Sequence, residues 1–294
     1  MSRVHATRWP LVAALCAIVV LAAGCSALRV GYNQANWLAY RWFDGYVNFD
    51  ASQDKGVREA LGEWFLWHRR TELADYGDLL LQIEAEVQAD TNAERTCGWW
   101  SRIRTRVDRA AERAIPTIAN LATTLKPAQI DNIARRYAKS NTEYRDDFMQ
   151  SDRAVRMVDA AKRTASRAEW LYGDLDTFQR ERIERWVADS PFDPELAFKE
   201  REVRQQEALQ TLRRLTGGGI DRSKAEAEIR AWIARMGQSP REPYRQYSAR
   251  VLQYSCRLAA DIHNSTSAAQ RRTASGKLKG WAADLRALAT EKID

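Results

Sequence analysis

The amino-acid sequence predicts an all-α protein, a multi-helix bundle of roughly eight helices that includes a long amphipathic helical hairpin. Apolar residues recur at intervals of three and four along most of the chain after residue 50, which is the spacing of one helix face. Helix-start signals, such as Asp176 and the pair Asp193-Pro194, divide this pattern into separate helices. No stretch of alternating apolar and polar residues competes by predicting a strand.

The N-terminus has the pattern of a secretory signal. Two arginines precede an apolar run over residues 11–23, and small residues lie directly before Cys25. This arrangement resembles a bacterial lipobox, although Ala22 stands where leucine is usual. The resemblance implies that residues 1–24 are removed as a lipoprotein signal peptide and that Cys25 carries the lipid. An ordinary secretory signal or a single membrane anchor is the alternative, but the run is shorter than the roughly 20 residues a spanning helix needs.

The expected location is the outer membrane, with the protein lipid-anchored and facing the periplasm. Ser26 follows Cys25 in place of aspartate, which by resemblance to other bacterial lipoproteins implies the outer membrane. Charges of both signs alternate along the chain, as in residues 180–185, and this is typical of solvated helix faces. We therefore expect the membrane and envelope proteins as partners, and no nucleic acid. The oligomeric state is left open.

The remaining cysteines predict a disulfide. Cys16 lies in the signal and Cys25 takes the lipid, which leaves Cys97 and Cys256 in an oxidising compartment. Closing so long a loop would stabilise the fold by about 5 kcal/mol through chain entropy. The alternative is a pair of buried free thiols, because cysteine packs well as a small apolar residue.

The mature chain divides into residues 25–50, a lipidated tether with an aromatic segment, and residues 51–294, a helical domain. The segment is too apolar for a free linker, since it contains Trp37, Trp42 and other aromatic residues. It is expected to pack on the domain, or to lie at the membrane interface, where tryptophan and tyrosine are favoured.

The longest periodic run, residues 127–168, predicts the amphipathic hairpin. Apolar residues between Ile130 and Val158 recur at multiples of seven, which places them along one side of a helix. Asn141 and Ser151 interrupt this stripe. The interruptions argue against an isolated coiled coil and favour a helical hairpin inside a bundle.

Three segments share a short signature that ends in glutamine, and each resembles the LTxxQ motif of small helical periplasmic chaperones. They are residues 125–129, 175–179 and 266–270. The residues singled out in them are Leu125, Gln129, Leu175, Asp176, Gln179, Ser267 and Gln270.

The chemistry of the signature is that of a capping box. An oxygen-bearing side chain at the N-cap accepts from the free amides of the helix start, and glutamine three residues later reaches back to the N-cap amide. Asp176 with Gln179 and Ser267 with Gln270 fit this pattern, whereas Lys126 has no side-chain oxygen. The alternative is therefore helix-start chemistry with no functional content.

A broader resemblance is to a family of proteobacterial predicted lipoproteins of unknown function. It is carried by the lipobox followed by Tyr32-Asn33, by residues 42–47, and by residues 263–266 leading to Gln270-Arg271. The resemblance implies membership of that family and the location of a lipoprotein, but it implies little about activity.

The sequence offers no catalytic constellation, and we predict no catalytic residues, metal ligands or cofactors. His68 and His263 are the histidines outside the signal, and neither belongs to a metal-binding spacing. We expect a lipid-anchored periplasmic binding protein, not an enzyme, that contacts other envelope proteins, with a chaperone-like or envelope-stress role as one form. The alternatives are a structural or assembly scaffold for a fixed complex and, less favoured, an enzyme acting on the cell wall or lipids.

Overall fold

The computed structural model describes residues 27–216 and 219–291, and these residues are helical with short connections and no strand. This confirms the predicted all-α class. The helices are α1 (described over residues 27–33), α2 (Ala35–Val47), α3 (Ala51–Thr71), α4 (Leu73–Glu86), α5 (Ala93–Thr124), α6 (Pro127–Phe148), α7 (Arg153–Tyr172), α8 (Thr177–Ala188), α9 (Pro194–Leu215), α10 (Arg222–Gly237), α11 (Glu242–Asn264) and α12 (Ala268–Thr290).

The predicted number of helices, roughly eight, is too low, since the described residues contain twelve. One of the extra boundaries lies where the sequence carries no helix breaker. Glu72 separates α3 from α4 with φ −102° and ψ −37°, still in the helical region, and makes no side-chain cap. Apolar spacing continues across such a boundary, so it predicts one helix where the structure has two.

Four clusters of buried apolar side chains form the core of the described residues. The long helix α5 lies against α10 and α11, and its Ile115 is fully buried with Leu215 and Ile229. Each such side chain contributes about 1.5–3 kcal/mol by leaving water. Elsewhere α4 packs along α12, α7 packs on α8 and α12, and α6 packs on α2 and α9.

The predicted hairpin within residues 127–168 is wrong. The end of α6 is joined to α7 by residues 149–152, and the two helices do not pack along their lengths. Ile130 on α6 is buried beside α2 and α9, whereas Val158 on α7 is exposed. The prediction assumed one continuous helical phase, and the non-helical connection breaks that phase, so the two halves of the stripe face different surroundings.

Cys97 on α5 and Cys256 on α11 lie with their Cα atoms 5.4 Å apart. This separation falls in the range of protein disulfides. The predicted bridge is therefore geometrically possible, and it would fasten the beginning of α5 to α11.

Candidate functional site

Four of the residues singled out in the sequence lie at two helix starts that meet, whereas Leu125 and Leu175 are buried in apolar clusters. Asp176 and Gln179 begin α8, and Ser267 and Gln270 begin α12, each pair forming a capping box. The two glutamine amides hydrogen-bond each other in both directions, with each Nε2 2.9 Å from the other Oε1. The two helix starts are thus joined through their own capping residues.

The same amides also donate to backbone carbonyls that lie just before the partner helix. Gln179 donates to the carbonyl of Ser265 at 2.9 Å, and Gln270 donates to the carbonyl of Asp174 at 2.8 Å. Each Oε1 additionally accepts the amide of its own N-cap residue. Each side chain therefore uses two donor and two acceptor positions, which is the full capacity of a glutamine amide and removes the cost of burying it.

A second pair of the same kind contains Gln129 and a residue that the sequence interpretation missed, Gln53. Gln53 begins α3 in a capping box with Asp50, and its amide bonds that of Gln129. Gln129 donates to the carbonyl of Asn48 at 3.0 Å, and Gln53 donates to that of Thr124 at 3.1 Å. The sequence pattern that could have identified Gln53 is the capping box that it forms with Asp50, three residues earlier.

Lys126, the residue that departs from the motif, is tied to the same pair. Its Nζ lies 2.8 Å from Oδ2 of Asp50, the N-cap residue of α3. The Lys126 ammonium, together with the hydroxyl and amide of Ser52, holds the pKa of Asp50 below its usual range. One carboxylate thus caps α3 and pairs with the residue that cannot cap α6. Because Gln53, Gln129 and Gln179 are buried, these residues offer a partner little surface.

Both histidines of the described chain are held by tyrosines. His68 Nδ1 lies 2.8 Å from Tyr32 Oη, and its ring stacks on Trp64. His263 is 2% exposed, with Nδ1 2.9 Å from Tyr172 Oη and Nε2 2.9 Å from the Ala89 carbonyl. Burial lowers the pKa of both histidines. Within the described ranges, no group of three His, Cys, Asp or Glu side chains is placed to hold a metal ion.

The aromatic segment is divided between the core and the surface. Tyr40 and Val47 on α2 are buried. On the opposite face, Trp37 is 56% exposed and Trp42 is 57% exposed, and Leu38 lies between them on the same side. One face of α2 therefore packs on the body and the other is open, and contact of the open face with a membrane stays a prediction.

A basic groove lies where α2 packs on α6. It has a volume of about 240 Å³. Its lining combines aromatic and cationic side chains, namely Arg41, Trp42, Tyr46, Arg136, Lys139, Ser140 and Glu143.

Gly45 fixes the position of one of the groove cations. A Cβ atom at this position would lie 3.0 Å from Nη2 of Arg136, so the missing side chain lets the guanidinium lie close against α2. Arg136 also lies over the ring of Tyr46, 5.6 Å from its centroid.

A second exposed apolar face occurs on α5. Trp100, Ile103 and Val107 follow a spacing of three and four residues and are 48%, 40% and 56% exposed. We call these three residues the α5 stripe. Ion pairs border it, including Arg104 with Asp108 at 2.9 Å. Large apolar side chains exposed in line on one helix are typical of a protein-binding face.

Residues 45–230 match a family of unknown function, DUF6279. The chain belongs to this family. The match begins inside α2 and contains Gln53, Gln129, Gln179 and the α5 stripe, whereas Cys256 and Gln270 lie beyond it. No curated protein and no solved structure matches the chain. No helix in the described parts of this DUF6279 protein is long and apolar enough to cross a membrane.

Proposed function

We propose that this DUF6279 protein is a lipid-anchored, periplasm-facing protein of the outer membrane that works by binding another envelope protein. Cys25, the proposed lipid attachment site, lies outside the described residues, and its assignment rests on the lipobox-like sequence. The proposed partner contributes an amphipathic helix with an apolar face.

The α5 stripe is the observation that carries the proposal. Its spacing of three and four residues matches the way one helix packs its side chains between those of another. A large exposed tryptophan, Trp100, stands at one end, and tryptophan is enriched among residues that dominate binding energy. Charged residues that border such a face can pair with complementary charges of the partner and so select its orientation.

The position of the stripe supports binding to a fixed partner. Trp100 follows Cys97 by one helical turn, and a Cys97–Cys256 disulfide would hold that turn against α11. A face that is already rigid loses little conformational entropy when it binds. A short stripe also suits one helix better than it suits many unfolded chains.

Charge insertion in the stripe tests the proposal. The variant with Ile103→Glu and Val107→Glu should lose its partner when the protein is purified from gently solubilised membranes, because two charges would be buried against an apolar helix. Val203→Glu on α9 is the matched control, since Val203 is also exposed and lies outside the stripe. Equal recovery of the partner with the stripe variant and the control contradicts the proposed face.

A chaperone-like role is the second candidate, and exposed apolar residues on α7 favour it. Val155 and Val158 are exposed, and arginines 153 and 156 lie on the same turn of helix. The full chain should then slow the aggregation of an unrelated unfolding protein at a near-stoichiometric ratio. Charge reversal at these two arginines and at arginines 135 and 136 should change that activity and its salt dependence more than the helicity. Unchanged aggregation by folded, monodisperse protein rules this role out.

A further inference from the structure

We propose that the open face of α2 and the α2–α6 groove form a docking site for a membrane that contains anionic phospholipid, with the groove receiving a headgroup phosphate. The inference rests on the proposed lipid anchor for the orientation of this face toward the bilayer and, in part, for the choice of a membrane as its occupant. The docking surface consists of Trp37, Leu38, Arg41 and Trp42 on α2 with Arg136 and Lys139 on α6.

The aromatic side chains match the chemistry of a membrane surface. Trp37 and Trp42 are more than half exposed, and Leu38 adds an apolar side chain on the same side of α2. Indole rings favour the headgroup level of a bilayer, because one part of the ring is apolar and its N–H is polar. Arg41 lies 5.9 Å from the centroid of the Trp37 ring, so a cation accompanies the aromatic side chains on this face.

The charge of the groove is complementary to phosphate. Many arginines of the described residues form ion pairs with carboxylates, such as Arg29 with Glu291, whereas Arg41, Arg136 and Lys139 form none within the described residues. Glu143 is the acidic residue in the lining, and it leaves an excess of two positive charges among these four side chains. Phosphate oxygens are strong acceptors for arginine and lysine.

The groove is held open by packing on both sides. Asn132 on α6 donates to the carbonyl of Tyr46 at 2.8 Å, which joins α6 to the end of α2. Gly45 leaves the room in which the Arg136 guanidinium lies against α2. A preformed cationic groove binds an anion without first reorganising its side chains.

The chain before α2 places this face near the proposed anchor. Residues 27–33 are docked on the protein body, since Arg29 pairs with Glu291 at 3.0 Å and Tyr32 bonds His68 at 2.8 Å. Ala35 follows Cys25 by ten positions, a reach of at most about 35 Å for an extended chain. A lipid on Cys25 would therefore hold α2 close to the bilayer. This proximity favours a membrane over a protein as the occupant.

Hydrogen–deuterium exchange of the full-length protein tests the docking. The protein is reconstituted in vesicles of phosphatidylcholine alone, or of phosphatidylcholine mixed equally with phosphatidylglycerol. Amides of α2 should exchange more slowly in the anionic vesicles. The variant with Arg41→Glu and Lys139→Glu should lower the docking equilibrium constant by about 25-fold or more and so remove most of the slowing, because each basic residue at an anionic surface strengthens binding about fivefold.

The control carries Lys199→Glu and Arg250→Glu, which change the net charge equally at exposed positions elsewhere. It should keep the slower exchange of α2. Equal exchange of α2 in both kinds of vesicle overturns the inference, as does an equal loss in the control, which would indicate only general charge attraction.

The docking and the proposed anchor fail in different ways. If the wild-type protein carries no lipid on Cys25 while its α2 amides still exchange more slowly in anionic vesicles, that result would support the docking and contradict the anchor. Loss of partner binding through the α5 stripe would leave the exchange of α2 unchanged, because the stripe residues do not line the groove.

Discussion

The side-chain amides of Gln179 and Gln270 bond each other reciprocally, and so do those of Gln53 and Gln129. In both pairs, each glutamine accepts the backbone amide of its own N-cap residue and donates to a carbonyl two residues before the partner's N-cap. The same arrangement therefore joins α3 to α6 and α8 to α12. It gives the LTxxQ-like residues a structural role that accounts for their spacing without invoking a binding site.

Gln179→Leu should destabilise the protein by about 2 kcal/mol, because it leaves partly buried partners of Gln179, including the amide of Gln270 and the carbonyl of Ser265, without these hydrogen bonds. Denaturant unfolding followed by circular dichroism measures the change. Gln253→Leu is the control, since Gln253 is exposed on α11, and it should stay within about 0.5 kcal/mol of wild type.

Adding Gln270→Leu to Gln179→Leu should cost less than the sum of the two single changes. Each single change leaves the other amide unsatisfied, whereas the double change removes both. Strict additivity would show that the two amides do not interact.

Thiol titration of the denatured, unreduced protein should find neither Cys97 nor Cys256 free. Reduction should then lower the melting temperature by several degrees, because the bridge restricts the unfolded chain and one kcal/mol shifts a large domain by about 2–4 °C. The variant with serine at both positions should melt like the reduced protein. Two reactive thiols before reduction would end the disulfide assignment.

Stability should fall as the pH is lowered from about 6.5, partly because of His263. Burial lowers its pKa in the folded protein, so the unfolded chain binds the proton first and acid favours unfolding. The stability that His263 contributes is present above the unfolded pKa. His263→Gln should reduce the dependence of the free energy of unfolding on pH by at most about 1.4 kcal/mol per pH unit, and His68 should contribute to the dependence that remains. An unchanged slope would contradict this assignment.

Cys25→Ser should leave an unlipidated precursor. The prediction follows from the lipobox-like residues before Cys25. Fractionation and mass spectrometry of the N-terminus measure the outcome. A variant that is processed and stays in the membrane like wild type would refute the lipid attachment, and wild type in the inner membrane would refute the outer-membrane location.

Local chemistry made some elements predictable from the sequence. Asp176 and Asp193 cap α8 and α9 because an acceptor side chain beside the first amides suffices to begin a helix. The proximity of Cys97 and Cys256 could also be predicted from the sequence, because an even cysteine count favours pairing in a chain that is predicted to be exported. These features depend on neighbouring residues or on composition.

The remaining features depend on contacts between distant residues. Gln53 acquires its role from Gln129, and the basic groove exists because α2 packs on α6 about 90 positions away. The predicted hairpin is absent because residues 149–152 connect α6 to α7 without packing the two helices along each other. The spacing of apolar residues along one helix does not indicate which other helix it contacts or how the chain turns at its end.

Binding of one envelope partner through the α5 stripe can be tested by photo-crosslinking in intact cells. The reactive amino acid is placed at Val107 and, as the control, at Val203. We predict one stoichiometric adduct from Val107 that disappears with Ile103→Glu, and no such adduct from Val203. The same adducts from both positions, or none from Val107 in folded and membrane-bound protein, would contradict the claim.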